Sequence, residues 1–161
     1  MAIENTSAER IEKIVKAQKE FFRSGTTLSY EFRSDQLKKL GEGLKECKDV
    51  LCKALWADLH KSEQEAVLTE LSIVEGEIKN HLRHLKRWIR PERHSTPLKM
   101  MPSRSRVISE PLGGALIIAP WNYPVQLLLN PLVGAISAGC TALESCPSAM
   151  CWAMPPSCPD P

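Results

Sequence analysis

The stretch Glu110-Pro111-Leu112-Gly113-Gly114-Ala115-Leu116-Ile117-Ile118-Ala119-Pro120-Trp121-Asn122-Tyr123-Pro124 decides how this chain folds. Pro111-Leu112-Gly113-Gly114 is turn chemistry, and Ala115 to Ala119 is a short, unbroken apolar run suited to a strand buried on both faces. Val125 to Ala138 then predicts a helix that contains Pro131. Turn, strand, second turn and helix, in that order, make the opening βα unit of a parallel, nucleotide-binding type of sheet. No charged residue stands between Glu110 and Glu144, so a transmembrane helix has to be considered. Pro120, Asn122, Pro124, Gln126, Asn130 and Pro131 place breakers and amides where a spanning helix needs continuous apolar surface. The segment is therefore read as strand, turn and buried helix, and no membrane span is expected.

Moving outward, the residues before this unit are patterned for helices. Thr6-Ser7-Ala8-Glu9 has capping-box spacing, and Ile11, Ile14, Val15, Phe21 and Phe22 follow at helical intervals up to Gly25. A second helical region covers residues 30–60, with Leu37, Leu40, Leu44, Leu51, Leu55 and Leu59 apolar and a bend expected at Gly41 or Gly43. Ser62-Glu63-Gln64-Glu65 is another capping box. From it Val67, Leu71, Val74, Ile78, Leu82, Leu85 and Ile89 recur every three or four residues, which buries one face of a long helix until Pro91 ends it. Residues 95–110 are rich in Pro, Ser and basic side chains and are read as a connection or an edge hairpin strand, with a strand at about residues 106–109.

Composition bounds the function. The 161 residues carry 43% hydrophobic and 25% charged side chains and a net charge of +2, which suits one folded domain and gives no global electrostatic case for nucleic acid. Met1-Ala2-Ile3-Glu4-Asn5 has no secretory pattern, so a cytoplasmic, reducing location is expected. Six cysteines at positions 47, 52, 140, 146, 151 and 158 include no CxxC pair, and neither a disulfide framework nor a zinc site is expected from them. Lys79, Arg83, Lys86, Arg87, Arg90 and Arg93, with His81, His84 and His94, form a basic stretch over residues 79–94. It is read as a solvated face with cations near a helix C-terminus, with a phosphate-binding or partner-binding face as the alternative. Glu77, His81 and His84 share helical spacing but lack a fourth ligand, so no metal is expected there.

Residues 110–139 resemble the aldehyde dehydrogenase superfamily segment that runs from an EPLG strand through a PWNYP turn into a helix ending GAI-x-AG, here Gly134-Ala135-Ile136-Ser137-Ala138-Gly139. Ala54-Leu55-Trp56-Ala57-Asp58-Leu59-His60-Lys61 is similar to that family's AL-x-x-DL-x-K helix end, and the short N-terminal region resembles the class 3 fatty and aromatic aldehyde dehydrogenases. The resemblance covers residues 7–139 and implies an α/β fold: N-terminal helices plus the opening βα unit of a Rossmann-like NAD(P)-binding domain over residues 1–139, incomplete in these residues. It also implies NAD or NADP as cofactor and an aldehyde as substrate, oxidised to a carboxylic acid through a cysteine thiohemiacetal. Ile118, Ala119, Pro120 and Trp121 would border the nicotinamide, Tyr123 would stand near the aldehyde channel, and Asn122 would hold the developing oxyanion. Read from its position alone, Asn122 also suits the cap of the helix that follows.

The pattern breaks after Gly139. Where the family continues into an apolar strand ending in KPSE, this chain reads Cys140-Thr141-Ala142-Leu143-Glu144-Ser145-Cys146-Pro147-Ser148, without the lysine that would contact the cofactor. Residues 140–161 hold no Lys or Arg and are read as an irregular Cys- and Pro-rich tail, as from a shifted frame or alternative splice. None of the six cysteines follows Gly-Gln, the setting of the family's nucleophile, and the general-base glutamate of the family is likewise unassigned. The expected product is a truncated isoform, inactive alone and able to associate with full-length subunits. The competing expectation is a non-catalytic helical interaction module that uses the basic 79–94 face.

Overall fold

A computed structural model of the chain describes residues 6–145. Six α-helices and four short strands are ordered α1 (Ala8–Arg23), α2 (Tyr30–Glu46), α3 (Lys48–Leu59), α4 (Glu63–Ala66), α5 (Ser72–Trp88), β1 (Glu92–His94), β2 (Ser105–Val107), β3 (Gly114–Ile118), α6 (Pro124–Ala138) and β4 (Thr141–Ser145). The caps explain most boundaries. Ser7, one residue later than the sequence pattern suggested, accepts from the Arg10 N–H at the start of α1, and Ser62 accepts from the Glu65 N–H at the start of α4. The break in the second helical region falls at Cys47, not at the glycines. Gly41 lies inside α2 facing α5, where a Cβ would meet the Ile78 side chain at 3.6 Å, an ordinary contact.

The long helix expected from residue 62 to Pro91 is present with one irregularity. Between α4 and α5 the five residues Val67–Leu71 form a π-turn. A π-turn inserts one residue into the helical count and re-aims the side chains beside it. Here Leu71, Val74, Ile78 and Leu85 still reach the core, and Glu70 is buried with them. That core joins Leu37, Leu44, Leu51 and Leu55 of α2 and α3 to Val125, Leu129 and Val133 of α6.

β1 and β2 pair antiparallel, Glu92 opposite Val107, so residues 92–107 are a surface hairpin whose second strand is Ser105–Val107 rather than residues 106–109. β3 and β4 pair parallel, Gly114 opposite Thr141 and Ile118 opposite Ser145, with α6 as their crossover. This corrects one expectation: residues 141–145 are a strand, not part of an irregular tail. Thr141-Ala142-Leu143 pairs along β3 and packs on the far side against α1, where the Gln18 side chain donates to the Ala142 carbonyl at 2.7 Å. A strand of only five residues is specified by such a partner more than by its own composition. The remainder of the expected tail, residues 146–161, lies outside the described residues.

Candidate active site

The parallel pair aims its carboxyl ends, Ile118 and Ser145, to one side, and the chain leaves β3 through Ala119-Pro120-Trp121-Asn122-Tyr123 into α6. The crevice beyond the carboxyl ends of parallel strands is where open α/β sheets bind ligands. Alternation along β3 sets what faces that side. Ile117 and Ala119 are buried against Leu128 of α6, whereas Ile118 is 70% exposed and Trp121 69% exposed. Pro120 and Asn122 are also exposed, and Tyr123 is exposed at its rim. Of the six residues singled out from the sequence, Ile118 ends β3 and the other five form the exit turn, with Ala119 turned into the core. Ile118 and Trp121 thus leave apolar surface exposed at the strand end.

The start of α6 is held by residues that the sequence reading did not find. Tyr123 occupies the N-cap position, and no side chain at that position makes a cap hydrogen bond. The capping role considered for Asn122 is filled from a distance by Glu70, whose Oε2 accepts from the backbone N–H groups of Val125 (2.9 Å) and Gln126 (3.3 Å). Its Oε1 accepts from Lys61 Nζ at 2.6 Å. Lys61 Nζ also donates to the Asn122 carbonyl oxygen at 2.8 Å and lies 3.9 Å above the Tyr123 ring centroid. Glu70 is 0% and Lys61 8% exposed. A buried carboxylate is tolerable only when its charge and lone pairs are matched, and the ammonium, two N–H groups and the positive helix end do this here. One signal for it was present in the sequence: Glu70 sits between Val67 and Val74 on the apolar stripe, where a carboxylate requires a partner.

Burial shifts the acid–base equilibria of three groups. Burial lowers the Arg33 pKa, opposed by the adjacent Cys140. Burial raises the Cys52 thiol, with Glu63 adding to the rise. Burial likewise raises the Glu144 carboxyl. For Glu144 the folded pKa lies above the unfolded one, so its stabilising contribution is complete below the unfolded value and is lost as pH rises through the folded value. Glu144→Gln is therefore expected to raise stability at neutral pH, a gain that vanishes in acid; urea melts at both pH values check this.

Among the described residues no group of three or more His, Cys, Asp and Glu side chains is placed to hold a metal. His81 instead bonds Glu77 at 3.0 Å and meets Trp88 edge-on, and His84 bonds Asn80. No helix among the described residues is long and apolar enough to cross a membrane.

The sequence model of the aldehyde dehydrogenase family matches residues 1–150. The chain belongs to the aldehyde dehydrogenase family. Its relatives are of the class 3 type: bovine aldehyde dehydrogenase family 3 member B1 is 46% identical over 127 residues, 78% of this chain and 27% of its own length. The 4,4'-diaponeurosporen-aldehyde dehydrogenase of Staphylococcus aureus is 42% identical over 133 residues, 83% of this chain and 29% of its own length. The substrate-bound structure of Staphylococcus aureus AldH superposes with a TM-score of 0.81 at 40% identity, over 89% of this chain and 30% of that one. The chain thus spans less than a third of the aldehyde dehydrogenases it matches. An NADP complex of glyceraldehyde-3-phosphate dehydrogenase from Methanocaldococcus jannaschii, at 22% identity and a TM-score of 0.75, shares the fold. The similarity runs through α2, α3 and α5 as well as the strand-end turn, which favours an aldehyde dehydrogenase over an interaction module built on the basic face.

Proposed function

We propose that these residues supply the oxyanion-binding side of an NAD(P)-dependent aldehyde dehydrogenase site, in which an aldehyde is oxidised to a carboxylic acid. The observation that supports this most is the division of labour at the start of α6. Glu70 caps the helix, so the exposed Asn122 amide is not needed for that purpose and can face a ligand beyond β3. When a thiolate adds to the aldehyde carbonyl, the carbonyl oxygen takes up the negative charge, and an amide N–H already fixed in place stabilises it. Ile118, Pro120 and Trp121 would flank the nicotinamide, which supplies the hydride acceptor, and Tyr123 would border the aldehyde.

The thiolate and the general base of this reaction have no assigned counterpart among these 161 residues. Turnover by the chain alone is therefore expected to be nil. Incubation of the pure chain with NAD or NADP and an aliphatic or aromatic aldehyde checks this, and any reduced cofactor formed would overturn it. In a polypeptide that carries these residues together with a Gly-Gln-X-Cys segment, Asn122→Ala is expected to lower kcat on the order of 10²-fold. An unchanged kcat would remove Asn122 from the reaction.

Pairing with a complete subunit belongs to the same proposal. Leu116 and Ile118 leave apolar surface on β3 that a larger sheet would cover. Co-purification with the longer enzyme would support it, and a soluble folded monomer at high concentration would count against it.

A further inference from the structure

We propose that Lys61 is a positioning residue for Asn122, with Glu70 as its anchor; this rests on the reading of Asn122 as the oxyanion donor. The turn after β3 leaves the sheet, and Asn122 is exposed, so packing alone constrains it weakly. One strong contact reaches its backbone: the Lys61 ammonium on the Asn122 carbonyl oxygen. A donor ion fixes the residue it touches only if it is itself fixed. Lys61 meets that condition twice. Its backbone lies in the tight joint between α3 and α4, where His60 is in the left-handed region at φ 53°, the Lys61 N–H returns to the Leu55 carbonyl, and Ser62 caps the next helix. Its ammonium is held by Glu70 and by the Tyr123 ring, so it reaches both neighbouring residues of the turn at once.

Glu70 extends the same restraint to α6. One oxygen holds Lys61 and the other holds the Val125 and Gln126 N–H groups, so the turn is clamped from its ammonium side and from its helix side by one buried carboxylate. The π-turn is the local departure from regular helix that contains Glu70, and π-turns recur where a helix serves a site. A short amide side chain on a clamped backbone is the arrangement that preorganised oxyanion stabilisation requires.

The test reads position and needs no turnover. In the isotope-labelled chain, Lys61→Met is expected to move the carbonyl-carbon and side-chain amide resonances of Asn122, with Lys61→Arg moving them back toward wild type. In Glu70→Gln the Val125 and Gln126 amides are expected to exchange roughly tenfold faster with solvent, with those of β3 unchanged. A folded Lys61→Met whose Asn122 resonances stay in place overturns the proposal. If Lys61→Met does not fold, the Asn122 resonances in Glu70→Gln decide it in the same way, and if neither variant folds the pair is structural only and the proposal fails. Failure of the oxyanion reading would show separately, as unchanged kcat in Asn122→Ala.

Discussion

Glu70→Ala is expected to lower the folding free energy by about 3–5 kcal/mol, a large part of the roughly 5–15 kcal/mol that stabilises an ordinary domain. The cost has little to do with the pair's net strength, because two charges taken out of water lose about as much hydration as they regain in attraction. It arises from what remains. Lys61 stays buried with its carboxylate gone, and the Val125 and Gln126 N–H groups lose their acceptor at the positive end of α6. Urea denaturation of the variant measures the loss. The double variant Lys61→Met with Glu70→Leu removes both charges together and is expected to recover part of it. If the double variant is instead less stable than Glu70→Ala by the full cost of a second substitution, the two side chains act independently and the explanation by an unpaired charge is wrong.

The elements legible in the sequence were those whose burial is written into local spacing. The stripe from Val67 to Ile89 appears as read apart from the π-turn, and the apolar run before Pro120 is a strand as read, although it is covered on one face only, with Leu116 and Ile118 exposed on the other. β4 was not legible, because Thr141 to Ser145 is short and precedes a Cys- and Pro-rich segment; its state follows from β3 beside it and α1 behind it. The same holds within the site. Asn122 stood out through a motif, and the turn that carries it could be placed by its prolines. The Lys61 and Glu70 contacts span 61 and 55 residues of sequence, and Glu70 lies in the π-turn, which no periodicity announced. The break at Cys47 is displaced from the glycines for a related reason: glycine permits a bend but does not compel one, and both Gly41 and Gly43 stay inside α2.

Gly139→Val is expected to cost about 3–5 kcal/mol, and the reason joins both halves of the fold. Gly139 ends α6 at φ 85°, in the left-handed region, and there the Gly139 and Cys140 N–H groups close the helix onto the Ile136 and Ala135 carbonyls. A β-branched residue in that region costs about 1–2 kcal/mol or more from backbone strain alone. Space makes it worse, because a Cβ at Gly139 would lie 2.7 Å from the Arg33 guanidinium. That guanidinium is buried and donates to the Thr27 carbonyl at 2.9 Å and the Ser137 carbonyl at 3.3 Å, tying the entry to α2 to the end of α6. Moving it weakens hydrogen bonds from a charged donor, each worth about 1.5–3 kcal/mol. The double variant with Arg33→Ala separates the two causes. If steric displacement of Arg33 matters, Gly139→Val costs less in the Arg33→Ala background than in the native one; an undiminished cost would assign the whole effect to the left-handed backbone. The junction also fixes where β4 begins, two residues after the cap, so strain at Gly139 is expected to loosen the Thr141 N–H bond to the Gly113 carbonyl. Faster hydrogen exchange at Thr141 than at the Leu51 amide would report that loosening directly, since Leu51 lies in the core of the helical layer, away from the sheet.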